Sequence, residues 1–203
     1  MKPTSPWRRL AAGFSLIELM VVVAVTAVVL TLAAPSFFDY QQVQRLKSVN
    51  SQVVTDMNLA RSEAVSRGTF LRVSFGQNST STCYTLYLAQ MNSLLCDCTK
   101  GPGEACKNNS GTVPINVSEV RTVVQPRSTG ITILTPAQSD PKLAFNSTTG
   151  GILSIGVDTL GTPLQQFEIK VSLDDNRFLK TTLGKTGRPA VCASTTGLGS
   201  ALC

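Results

Sequence analysis

Glu18 is an ionisable group at the mouth of an apolar run, because nothing from Leu19 to Phe38 carries a charge. A carboxylate held in hydrocarbon costs about 2.5–3.5 kcal/mol even on a lenient scale. The chemistry such a group offers is charge pairing, with a cation supplied by another molecule. Cys83, Cys96, Cys98, Cys106, Cys192 and Cys203 all follow that run. An even number of cysteines in an exported segment points to disulfides, formed in an oxidising compartment such as a bacterial periplasm. A four-thiolate metal site is the alternative use of the first four, but one residue between Cys96 and Cys98 is not a metal-knuckle spacing. The chain has no histidine, so a Ser-His-Asp triad and a histidine zinc site are both excluded. Asp174 and Asp175 are adjacent carboxylates, but in a polar turn they are read as solvated. Arg177, Lys180, Lys185 and Arg188 follow with no acidic side chain after Asp175, and cations of this kind contact phosphates. No glycine-rich phosphate cradle follows a strand. The residues suggest neither an enzyme nor a cofactor or metal site.

The elements that must position these groups can be read along the chain. It has 203 residues, with 18 Lys and Arg against 12 Asp and Glu, a net charge of +6. Lys2, Arg8 and Arg9 precede the apolar run without an acid among them, so the rest carries only 6 − 3 = +3. That mild excess does not by itself indicate nucleic acid. The run is long enough as a helix to cross a hydrocarbon core of about 30 Å. Its basic leader places the N-terminus in the cytoplasm and the remainder across the membrane. A secretory signal has a shorter apolar core, of roughly 7–15 residues, ending at a small-residue cleavage site. Here Ala33 and Ala34 are followed by Pro35, so the segment stays on the protein. Pro35 is expected to kink the helix rather than end it.

Beyond Asp39 the pattern becomes amphipathic. Val43, Leu46, Val49, Val53, Met57, Ala60 and Ala64 fall on one helical face, with Gln41, Gln42, Arg45, Lys47, Arg61 and Arg67 between them. Gly68 is a stop signal behind Arg67. Residues 14–67 then make about 80 Å of helix at roughly 1.5 Å per residue. Strands are expected at 69–75, 83–89, 119–124, 130–135, 142–146, 151–157, 165–173 and 177–183, with Gly76-Gln77-Asn78 opening the first turn and Asp174-Asp175-Asn176 another. Phe167, Ile169, Val171 and Leu173 alternate with polar neighbours, so one face of that strand is buried. Residues 91–111 form a loop too long to stand bare in a compact domain, and cysteine crosslinks are expected to order it. The tail from 184 to 203 is rich in Gly, Ser and Thr. Cys192 is expected to join Cys203. A bond between Cys96 and Cys98 would be strained. The remaining pairs are Cys83–Cys96 with Cys98–Cys106, or Cys83–Cys98 with Cys96–Cys106. Strands this close together leave no room for crossover helices, which gives an α+β fold with an antiparallel sheet.

The run from Gly13 to Glu18, Gly-Phe-Ser-Leu-Ile-Glu behind a short basic leader, resembles the class III signal of type IV prepilins and type II secretion pseudopilins. Pro35 matches the family's helix proline. The resemblance implies a pilin-like fold, with a long kinked N-terminal helix whose second half packs on an antiparallel head. It implies a leader at 1–13, a transmembrane helix at 14–38, its amphipathic continuation at 39–67 and a head at 68–203. It also implies a prepilin peptidase that cuts after Gly13 and methylates Phe14. Glu18 then pairs with the Phe14 ammonium of a neighbouring subunit, so the partners are other pilins or pseudopilins, the peptidase and membrane lipid. The location implied is the bacterial inner membrane, with the head in the periplasm, and then the filament.

Ala-Arg-Ser-Glu-Ala at 60–64 and Gly187-Arg188 resemble H-type pseudopilins and related minor pilins. The expected function is a minor-pilin-like subunit that helps start or cap a type IV pilus. The alternative is the H-type pseudopilin of a type II secretion system. A second alternative is a DNA-binding minor pilin. Some relatives bind DNA through a Gly-Arg-x-Arg motif, but Gly187-Arg188-Pro189-Ala190 lacks the second arginine.

Overall fold

A computed structural model describes residues 15–89, 96–108, 110–135, 143–154 and 162–203, with the side chains of 32–36 outside the description. The expected cleavage point at Gly13 and Phe14 lies outside the described residues. The chain divides into two units, residues 1–41 and 42–203. The helix α1 (Leu16–Arg67) begins in the first and ends in the second, and it continues through Pro35.

In the first unit, the described side chains of α1 from Leu16 to Thr31 are exposed on every side. Ile17, Met20, Val25 and Leu30 each show about 60% of their surface or slightly more. A helix that is apolar all round needs an apolar surrounding. Its hydroxyls are satisfied internally: Thr26 donates to the Val22 carbonyl at 2.6 Å and Thr31 to the Val28 carbonyl at 2.8 Å. Polar groups in hydrocarbon require partners of this kind. Among the described residues no helix is long and apolar enough to cross a membrane. The span expected at 14–38 includes residues 32–36, whose side chains are not described.

In the second unit α1 shows its amphipathic character. Leu46, Val53, Met57, Ala60 and Ala64 are fully buried, and Val43 and Val49 are half-buried against the same core. The helix ends where Gly68 turns left-handed at φ 61°. The Gly68 amide donates to the Val65 carbonyl at 3.4 Å and Thr69 to Ala64 at 3.2 Å, which satisfies the last carbonyls as glycine caps do.

Among the described residues ten strands follow: β1 (Leu71–Gln77), β2 (Ser81–Ala89), β3 (Val117–Pro126), β4 (Thr132–Leu134), β5 (Leu143–Phe145), β6 (Ile152–Ser154), β7 (Thr162–Pro163), β8 (Gln166–Ser172), β9 (Phe178–Gly184) and β10 (Pro189–Ala193). They form two antiparallel sheets where the sequence suggested one. The larger has the order β3-β2-β1-β5-β6-β7 and the smaller β10-β9-β8-β4. The chain changes sheet after Pro126, through a short helical turn at Arg127–Thr129 and Gly130 at φ 77°. β4 then pairs with β8, Ile133 lying opposite Val171. One core joins the helix face to both sheets.

Three local expectations need correction. Gly76 is not in the turn: β1 runs on to Gln77, and the turn begins at Asn78, whose side chain accepts from the amides of Thr80 and Ser81. No strand was expected in the tail, but residues 189–193 pair with β9 as β10. β7, a two-residue strand, was also not expected.

β2 is buried along its whole length. Tyr84, Leu86 and Leu88 face the main core, whereas Tyr87 and Ala89 join a second cluster with Cys96, Cys106 and Val117. The cysteine-bearing loop therefore covers the far face of the sheet.

Candidate functional site

The described part of the assembly segment begins at Ser15, with Glu18 in the first turn of α1. Leu16, Ile17, Leu19 and Met20 around it are all exposed. Among the described residues no cation lies within ion-pairing distance of Glu18. The segment thus presents one carboxylate on an uncovered apolar rod. An arrangement of this kind can bind another apolar rod, and it can choose the register by pairing the charge.

The cysteines form three disulfides, Cys83–Cys98, Cys96–Cys106 and Cys192–Cys203. Of the two pairings left open for the first four, this is the crossed one. With every thiol oxidised, the four-thiolate metal site has no ligands, and among the described residues no group of three metal-binding side chains occurs. Gly76 makes room for the first bridge: a Cβ there would stand 2.9 Å from Cys98 Sγ and 3.4 Å from Cys83 Sγ. The loop is also tied to β3, where Glu119 accepts from the Gly103 amide at 2.8 Å. The third bridge fixes the C-terminus beside β10, with Leu202 opposite Ala193.

Sequence reading missed a buried polar cluster between α1 and the larger sheet. Asp56 is completely buried. The Tyr84 hydroxyl donates to its Oδ2 at 2.6 Å, and Arg121 Nη1 lies 3.0 Å from Oδ1. Burial pushes the Asp56 carboxyl above the usual carboxylate range, with the Tyr84 hydrogen bond and then the Arg121 charge opposing that shift. The same environment raises the Tyr84 phenol, through burial first and the Asp56 bond second. Asn50 is also buried and accepts from the Thr181 hydroxyl at 3.0 Å, which ties α1 to β9. The signal was available. Asp56 sits three residues after Val53 and four before Ala60, and Asn50 four after Leu46, so both lie on the apolar face.

The four C-terminal cations do not form one basic surface. Arg177 pairs with Asp174 at 2.7 Å, and this holds the Asp174 carboxyl below its usual range. Lys180 lies 3.3 Å from Glu168. Lys185 and Arg188 instead line an open cleft with Arg61 of α1.

A family model described as type II transport protein GspH matches residues 50–197. A second, described as the prokaryotic N-terminal methylation motif, matches residues 8–34. Two crystal forms of the type IV minor pilin FimU of Pseudomonas aeruginosa strain PAO1 are similar at 14% identity. One covers 73% of this chain and 94% of that chain with a TM-score of 0.46. The other covers 76% and 93% with a TM-score of 0.48. No curated protein matches.

Proposed function

We propose that this chain, which belongs to the GspH family of type II transport proteins, is a minor-pilin-like subunit helping to start or cap a type IV pilus. The observation that carries this reading is the join of two features in one chain. An N-methylation motif spans residues 8–34, and the uncovered apolar helix bearing Glu18 leads into a disulfide-bonded head. In this reading, prepilin peptidase removes residues 1–13 and methylates Phe14. The helix stays in the inner membrane with the head in the periplasm. Pro35 bends the helix without ending it. On assembly, each subunit's Glu18 neutralises the Phe14 ammonium of a neighbour, and the pair sets the axial register in a medium of low dielectric. Ala24, Ala27, Ala33 and Ala34 let neighbouring helices approach closely.

One observation favours a second reading. The matching family is described as a type II transport protein, which suits the H-type pseudopilin of a type II secretion system. The two readings use the same segment and differ in the machine it serves.

The experiment is mass spectrometry of the mature protein from its own membranes. N-methyl-Phe14 at the N-terminus is expected. An intact leader, or a cut near Ala34, contradicts both readings.

A further inference from the structure

The cleft beside α1 has the features of a built site. It encloses about 600 Å³ and is lined by Arg61, Thr149, Gly151, Lys185, Thr186 and Arg188. Arg61 is held in place, its Nε donating to the Thr186 carbonyl at 3.0 Å. Its stem lies so close to Gly150 that a Cβ there would stand 2.9 Å from Arg61 Cγ. On the other wall Gly187, at φ 75°, brings the β9–β10 turn against the 146–151 turn, where a Cβ would stand 2.2 Å from the Gly150 carbonyl oxygen. Two backbones in contact therefore set the spacing of the cations. Lys185 and Arg188 are exposed, and among the described residues neither forms an ion pair. Among the described residues no acidic side chain lines the cleft. Three cations around one hollow with no counter-charge among the described residues favour an anion.

We propose that this cleft is a docking site for an acidic segment of a partner protein, with a carboxylate side chain seated among Arg61, Lys185 and Arg188. A single carboxylate suits the site better than a polyanion does. Arg177 and Lys180 are already engaged by Asp174 and Glu168, so of the four C-terminal cations Lys185 and Arg188 are the two that line the hollow. Nucleic acid draws on cations arranged along successive phosphates. The proposal rests on the reading of the chain as an assembling subunit, because assembly is what brings the surfaces of other subunits within reach.

The test uses the full processed chain in nonionic detergent at low ionic strength. A fluorescein-labelled peptide carrying one glutamate among neutral residues is titrated by fluorescence anisotropy, beside a labelled short DNA duplex and inorganic phosphate as competitor. Saturable peptide binding is expected, and Lys185→Gln with Arg188→Gln should weaken it about tenfold or more, since two charge-assisted contacts are lost. Both residues are exposed, so the thermal melt of the double variant should match wild type, and Lys185→Arg should bind as wild type does. Absence of peptide binding, equal binding by the double variant, or DNA binding tighter than the peptide through the same residues would overturn the proposal. The measurement needs no filament, so a silent cleft leaves the role of Glu18 standing, and a failure of assembly leaves the cleft measurable.

Discussion

At the scale of single residues, the head depends on a carboxylate placed where carboxylates are costly. Asp56 lies between α1 and the larger sheet with Tyr84 and Arg121 as its compensation. Arg121 Nη1 reaches Oδ1 as a charge at 3.0 Å and without a hydrogen bond among the described residues, so the Tyr84 hydroxyl at Oδ2 matters more. Tyr84→Phe should destabilise the protein by about 1.5–3 kcal/mol, the usual worth of a hydrogen bond to a charged group. The pH dependence has a definite sign. Burial holds the folded Asp56 carboxyl above its unfolded value. Its titration therefore favours the fold below the unfolded value, and that contribution is lost as pH rises through the folded one. Tyr84 acts mainly on the ionised form, so the penalty of Tyr84→Phe should shrink as pH falls through the folded value. Urea titrations of both proteins between neutral and acidic pH check this. A penalty that grows on acidification contradicts a carboxylate held by Tyr84. Asp56 was hidden in the sequence because a polar residue inside an amphipathic helix is ordinarily assigned to the wet face, and only its spacing from Val53 and Ala60 placed it inside.

At the scale of elements, every described strand except β7 and β10 was legible, the three-residue β4, β5 and β6 among them. β2 and β8 could be read from their run of strand formers and their alternation. β10 lies in a tail whose Gly, Ser and Thr content signals loop, and it is a strand because β9 offers an edge and the Cys192–Cys203 bridge holds the end nearby. The change of sheet at Pro126 to Gly130 has no periodic signature either, since a turn does not say which strand the next one joins. Gly76 looked like a turn glycine because the disulfide that needs its missing Cβ lies 22 residues further on. The loop's contribution follows from its position over β2. Replacing Cys83 and Cys98 by Ser should cost roughly 2–4 kcal/mol from the lost crosslink alone. It should also expose Tyr87, whose cluster the loop covers. Denaturant unfolding of the double variant, with peptide mapping of the two remaining bridges, decides the point. An unchanged midpoint would show that the loop packs without its bond.

At the scale of the whole molecule, the chain joins a domain that folds on its own core to a helix end that has none. The uncharged run was the plainest feature of the sequence, because a stretch with nothing but Glu18 at its mouth has few uses. What it could not supply was the partner, since no described residue of this chain covers Leu16 to Thr31. The central claim is that Glu18 recruits a neighbouring subunit and has no part in processing or insertion. Glu18→Ala makes the helix more apolar, so insertion should be unharmed, and the Gly13 site remains for the peptidase. The loss is a partner for a neighbour's ammonium, and leaving one charge of a buried pair alone costs about 3–5 kcal/mol. The direct measurement is fractionation of cells carrying Glu18→Ala, with the mature protein quantified by immunoblot in the inner membrane and in sheared filaments or tip complexes. The variant should accumulate, processed, in the membrane and be depleted from the filament fraction by at least about a hundredfold. A processed Glu18→Ala protein present in filaments at the wild-type level would contradict the claim.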